Sequence, residues 1–174
     1  MKNLNIILII ISILFFFTHN LKAEVPHFLD FKLILNQSDA GKKAQLALKS
    51  KLEKGIKSIN NKQKKIQEEE KKIIEQKKII APEEYKKQVS ALRSKVSALQ
   101  KERSSLLEDI AKKRSKARKE LLKNLNPIVE NYMKEKKIRV VLDKKNILLG
   151  DENLDITKDI MSLLNKKLKS LNLN

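Results

Sequence analysis

The chain has 174 residues, with 39 Lys or Arg against 21 Asp or Glu and a formal net charge of +18; it contains no Cys or Trp and only three Gly and three Pro. Lack of Cys excludes a disulfide scaffold, a thiolate zinc site and a cysteine nucleophile, and so few glycines leave no phosphate-cradling loop, whose backbone needs them clustered. An aromatic fraction of 4% beside a charged fraction of 34% suits long solvated helices better than one large globular core.

Residues 1–23 read as a cleavable secretory signal. Lys2 supplies the positive start, Ile6 to Phe17 is apolar except for Ser12, and a short polar stretch ends at Ala23, after which cleavage is expected. The apolar run is shorter than the roughly 20 residues that cross a bilayer, and no Cys follows it to carry a lipid. Without Lys2 and Lys22 the exported chain has 37 basic and 21 acidic residues, a net +16.

Val25 to Leu29 is then a short strand candidate, and Asp30 to Gln37 a short helix with Phe31, Ile34 and Leu35 on one side. A long helix starts at Ser38-Asp39-Ala40-Gly41, where Ser38 or Asp39 can cap it. It is expected to reach Ile79, with Gly55 its only weak point. Leu52, Ile59, Ile66, Ile73 and Ile80 recur every seven residues, but the positions three or four further on are mostly Lys62, Gln63, Glu69, Glu70 and Gln76. That is a coiled-coil seam with half of its knobs polar, predicted to hold two helices together weakly.

Ala81-Pro82 breaks the helix, because a residue before Pro avoids the α region. Pro82 suits the first position of the next helix, and Glu83-Glu84 place negative charge at its positive end. Val89, Leu92, Val96, Leu99, Leu106, Ile110 and Ala117 follow steps of three and four, with Arg103 and Lys113 in the gaps. Two such helices joined by a Pro turn predict an antiparallel hairpin.

Pro127 permits a kink, and Ile128, Val129, Tyr132 and Met133 form a denser apolar face beyond it. Ile138 to Asp143 reads as a strand, Lys144-Lys145-Asn146 as a turn and Ile147 to Leu149 as a second strand. A last helix, capped by Asp155 or Thr157, is expected to turn Ile160, Leu163, Leu164 and Leu168 inward. The predicted fold is mostly α with a small β part. Residues 39–124 form a long antiparallel coiled-coil arm with its turn at 80–83, projecting from a small α+β body of residues 24–38 and 125–174. A body of roughly 60 residues has a marginal core by itself and is expected to oligomerise, its strand edges seeking partners.

Candidate chemistry is sparse. His19 leaves with the signal, and His27 alone makes neither a metal site nor an acid–base pair. Asp151, Asn153 and Asp155 have the 1-3-5 spacing of a calcium loop, but Ile156 stands where Gly is needed and Ser162 where Glu is needed, so a turn and helix cap are expected. Glu68-Glu69-Glu70, flanked by Lys64, Lys65, Lys71 and Lys72, reads as a solvated face. No Ser/His/Asp set assembles, so a non-enzymatic protein without cofactor or metal is expected. Lys supplies 34 of the 39 basic residues; the arginines are 93, 103, 114, 118 and 139. Nucleic-acid readers use Arg for base edges and aromatics for stacking. Only Phe28, Phe31, Tyr85 and Tyr132 remain after cleavage, none among clustered cations, and export removes nucleic acid as a physiological partner. The charge then either solubilises long helices or attracts anionic surfaces and clients.

Four ordered segments carry a resemblance: Leu29-Asp30-Phe31 with Leu35-Asn36-Gln37-Ser38-Asp39-Ala40-Gly41-Lys42-Lys43; the turn Ala81-Pro82-Glu83-Glu84-Tyr85; Val141-Leu142-Asp143-Lys144; and Leu154-Asp155-Ile156-Thr157. With the heptad arm between them, the chain resembles the Skp/OmpH family of periplasmic chaperones for outer-membrane proteins. The resemblance implies a homotrimer whose three arms enclose a cavity, holding unfolded outer-membrane β-barrel proteins without ATP. A lipopolysaccharide or anionic-lipid partner is associated with it, and no catalytic residues carry over. Leu92, Val96, Leu99 and Ile110 are the candidate client contacts on the arm, and Lys86, Lys87, Arg93 and Lys95 the candidates for an anionic surface. The rival reading is a structural coiled-coil spacer of the cell envelope that binds no unfolded client.

Overall fold

The computed structural model describes residues 25–173. The signal segment and its cleavage after Ala23 lie outside the described residues. In chain order come β1 (His27–Leu29), α1 (Phe31–Gln37), α2 (Asp39–Gln76), α3 (Pro82–Lys136), β2 (Val141–Asp143) and α4 (Thr157–Lys167), with single 3-10 turns at Lys144–Asn146 and Glu152–Leu154. The expected class holds: mostly helix, with a two-stranded sheet.

Helix starts follow the capping chemistry. Asp30 accepts the Leu33 amide at 2.7 Å to open α1, and the buried Ser38 hydroxyl accepts the Gly41 amide at 3.2 Å to open α2. Between them the chain turns so tightly that a Cβ on Gly41 would lie 2.2 Å from the Leu35 carbonyl oxygen. Only glycine fits there. Helix α2 stops at Gln76, short of Ile79, and residues 77–80 form the turn ahead of Pro82.

Helix α3 runs 55 residues and continues past Pro127 without a break in its helical assignment. Pro127 forfeits one backbone hydrogen bond, but Leu121, Leu125 and Ile128 on either side are buried and hold the helix in place. It ends at Lys137, whose φ of 57° is left-handed, while the Ile138 amide reaches back to the Met133 carbonyl at 2.8 Å.

The sheet is parallel, with His27 opposite Val141, Phe28 opposite Leu142 and Leu29 opposite Asp143. On the other side of β1 the Ile156 amide donates to the Phe28 carbonyl at 3.0 Å. Both edges of this three-residue strand are therefore taken. Ile147 to Leu149 is not the second strand expected: after the 3-10 turn at Lys144–Asn146 it pairs with neither β1 nor β2, and Leu148 and Leu149 stand 94% and 91% exposed.

One core joins distant parts of the sequence: Leu29 and Ile34, then Leu121, Leu125 and Ile128, then Ile156, Ile160 and Leu164. Each such side chain contributes about 1.5–3 kcal/mol by leaving water. Leu163, expected inward, is exposed, because α4 presents only the Ile160–Leu164 edge to α3. Asp155 caps α4: its Oδ1 accepts the Thr157 amide at 2.9 Å and the Thr157 hydroxyl, and that hydroxyl accepts the Asp30 amide at 2.9 Å. One threonine thereby ties the last helix to the first.

Candidate functional site: two unlike flanks of a helical arm

Helices α2 and α3 lie antiparallel along a common seam in which Ile59, Ile73, Ile110 and Ala117 are buried and Leu52, Ile66 and Leu106 half-buried. Gly55 is not a weak point. A Cβ there would come within 2.5 Å of the Leu106 Cδ2, so Gly55 is the hole that Leu106 fills. The polar knobs are not vacant either. Lys62 meets Glu102 at 2.7 Å, Lys95 meets Glu69 at 2.6 Å, Lys51 meets Asp109 at 2.6 Å, and Arg103 donates to Gln63 at 3.3 Å. Such exposed pairs add about 0–1 kcal/mol each, so they fix the register more than the strength of the hairpin.

Helical phase sorts the remaining side chains. The three cross-helix ion pairs come from positions three after, or one before, a seam residue, which at about 100° per residue fall on one flank. Positions one or four after a seam residue fall on the other. Because the helices run in opposite directions, both turn these residues to the same side. That side carries Ile56, Ile74, Val96 and Leu107, each between 42% and 61% exposed. Arg93, Arg103, Arg114 and Arg118, four of the five arginines in the chain, stand on it as well, all exposed. One flank is thus a Lys–Glu/Asp lattice and the other a stripe of aliphatic side chains between guanidinium groups. A planar guanidinium is weakly hydrated and packs beside apolar surface more readily than an ammonium.

The second flank descends into a groove of about 1020 Å³ at the base of the arm. Leu48, Ile110, Ala117 and Leu121 form its apolar floor, and Lys32, Arg114, Arg118 and Lys145 lie around it.

A family model described as outer membrane protein (OmpH-like) matches residues 27–164, nearly all of the described chain. The chain belongs to the OmpH-like family. A crystal structure of an OmpH-like protein from Caulobacter crescentus, described as an outer membrane chaperone, aligns with a TM-score of 0.78 at 20% identity, covering 90% of this chain and 94% of that one. At that identity the likeness speaks for the fold. No curated protein matches.

In this OmpH-like chain the residues singled out from sequence do not form one patch. Val96 opens onto the aliphatic flank; Leu92 and Leu99 are half-buried in the seam, and Ile110 is 6% exposed at the groove floor. Lys86 and Lys87 are exposed near the turn and Arg93 lies on the arginine flank, whereas Lys95 is engaged by Glu69 on the opposite side. Ile56, Ile74 and Leu107 were not singled out, although their signal is in the sequence: Ile74 and Leu107 directly follow a seam residue, and Ile56 stands four after Leu52.

Around the body, charges serve structure. Burial pushes the Asp155 carboxyl up, but the Lys144 ammonium at 2.6 Å and the Thr157 hydroxyl and amide hold it below the usual carboxylate range. The Tyr132 hydroxyl donates to Asp159 at 2.5 Å; that bond, with burial and the Asp159 charge, pushes it up to about 12. Asp151 accepts the Asn153 amide at 2.9 Å, so the calcium-like spacing makes a turn. Among the described residues no group of three or more His, Cys, Asp or Glu could hold a metal ion.

Proposed function

We propose that this OmpH-like protein is an ATP-independent holdase of the periplasm that keeps unfolded outer-membrane β-barrel proteins from aggregating. The observation that carries this reading is one flank of the arm: Ile56, Ile74, Val96 and Leu107 are spaced along it among Arg93, Arg103, Arg114 and Arg118. An unfolded barrel strand exposes an apolar side chain at every second position and aggregates by edge pairing. Several weak, well-separated aliphatic contacts hold many such sequences through effective concentration and release them easily. The guanidinium groups add attraction for acidic clients that weakens with salt.

In this reading residues 39–124 are the arm, residues 24–38 and 125–174 the body, and the body joins subunits into a homotrimer. The exposed Val140 just before β2 and Leu142 on it, with Leu148 and Leu149, favour burial between subunits. Delivery to the periplasm follows from the signal at residues 1–23. Lys86, Lys87 and Arg93 offer cations to anionic lipid or lipopolysaccharide. An envelope spacer would have no use for such an aliphatic flank.

The test is aggregation of a urea-diluted outer-membrane barrel protein at stoichiometric ratios without ATP. Suppression is expected, and Ile56→Asp with Leu107→Asp should weaken it several-fold. Lys62→Gln on the opposite flank should leave it unchanged. No suppression at any salt concentration would overturn the reading.

A further inference from the structure

Residues 168–173, beyond α4, form neither helix nor strand, yet they stay on the molecule. Leu168 leaves α4 in an extended conformation, φ −130° and ψ 109°. Lys169 then reaches Asp39 at 3.1 Å, Leu171 lines the groove at the base of the arm, and the Leu173 carbonyl accepts from the Lys113 Nζ at 2.5 Å. Leu171 and Leu173 are half-buried and Asn172 between them is exposed, the in-out-in order of an extended chain. We propose that the foot of the arm is a binding site for an extended strand with aliphatic side chains at alternate positions, occupied by residues 169–173 until a client strand displaces them. The proposal rests on the chaperone reading above and names the chemistry by which this part of the arm recognises a client.

What holds the resident segment does not depend on a particular sequence. The groove floor, Leu48, Ile110, Ala117 and Leu121, is aliphatic and accepts any apolar side chain. The rim is mixed in sign: Asp30 and Asp143 stand among six cations, of which Lys144 is bound to Asp155 at 2.6 Å and Lys145 to Asp143 at 3.2 Å. Lys113 supplies the remaining contact. It stands in the seam of α3 where the pattern calls for an apolar residue, and it donates to a main-chain carbonyl, a group that every client carries. An unfolded barrel strand offers the same two features, apolar side chains at alternate positions and carbonyls without partners.

The resident segment is held lightly. Both leucines are only half-buried, and the bond to Asp39 is an exposed ion pair of the kind that adds little. As a tethered competitor, the segment lowers the apparent affinity for a client in proportion to the fraction of molecules in which the site stands open. Because Leu171 also packs against the body core, binding and stability have to be read together.

The probe is a labelled peptide of about ten residues, the length of one barrel strand, in which Leu alternates with Asn and Thr. Leu171→Ser with Leu173→Ser should tighten its binding about fivefold. Unchanged or weaker binding would overturn the proposal, and a lower melting midpoint alongside would mark residues 169–173 as a strap of the body. In that double variant Lys113→Met, although it suits the seam, should weaken the peptide about tenfold; no change would overturn the main-chain contact. The chain has no cysteine, so a nitroxide on Ser170→Cys, an exposed position, reports displacement with both leucines in place. Its spectrum should sharpen as peptide is added, and a constant spectrum while the peptide binds would overturn the competition. Peptide binding to neither protein, with a barrel protein still kept from aggregating, would overturn the strand site and leave the chaperone reading standing. A barrel protein that aggregates freely with both would overturn the chaperone reading, on which the site rests.

Discussion

Body and arm hold themselves together by different means. In the body, Leu29, Ile34, Leu125, Ile160 and Leu164 are fully enclosed and come from three separated stretches of chain, so each contact depends on all the others. In the arm, single buried residues such as Ile59 and Ile73 are separated by ion pairs that reach across two helices. The body should therefore unfold as one unit, while the arm yields locally, turn by turn. A surface for many clients gains from that compliance, and a platform for assembly does not.

The largest effects should come from the body. Leu125→Ala or Ile160→Ala should each cost about 2–5 kcal/mol, lowering the thermal midpoint of the whole body. Ile73→Ala in the arm should leave the body transition in place. A single transition common to body and arm, shifted equally by Ile73→Ala, would contradict the contrast.

Next is Gly41→Ala, which drives a methyl group against the Leu35 carbonyl oxygen and should cost about 1–3 kcal/mol. Although Ala is the better helix former, the variant should be less stable in a denaturant melt. A more stable protein would show that the α1–α2 junction relaxes.

A smaller effect tests how α3 grips α4. Tyr132, held up to about 12 by its bond to Asp159, keeps its proton longer folded than unfolded, where it titrates near 10. The stabilisation is complete below pH 10 and is lost as pH rises through 10 towards 12. Tyr132→Phe should thus lower the melting temperature by a few degrees at pH 8, and the difference from the unaltered protein should close by pH 12. A constant difference across that range would exclude the hydroxyl bond.

Smallest of all, Lys62→Gln with Lys95→Gln should change global stability by no more than about 1 kcal/mol per pair. Amide exchange in residues 60–70 should quicken while that of the core helices stays unchanged. Equal quickening in both regions would erase the distinction between them.

Much of this was legible in the sequence. The seven-residue spacing from Leu52 to Ile80 and the Ala81-Pro82 break foretell the hairpin, because helix phase and proline geometry are local. Ser38 and Asp155 announce their caps for the same reason. Apart from the end of α2, the readings that failed depended on a partner elsewhere in the chain or on its absence. Gly55 reads as a helix weakness until Leu106 is seen to occupy it. Lys62 and Glu69 read as gaps until Glu102 and Lys95 stand opposite. Ile147 to Leu149 has strand-forming residues, but it leaves the 3-10 turn at Lys144–Asn146 without pairing to β2.

The sequence by itself determined the elements, their order and the family, since periodicity, caps and short ordered motifs are carried by neighbouring residues. The tertiary structure alone decided which flank of the arm is aliphatic and arginine-lined and which is closed by ion pairs. That follows from the antiparallel register of two helices 40 residues apart at Lys62 and Glu102. A sequence shows where each helix turns its side chains; only the packed pair shows which of them water still reaches.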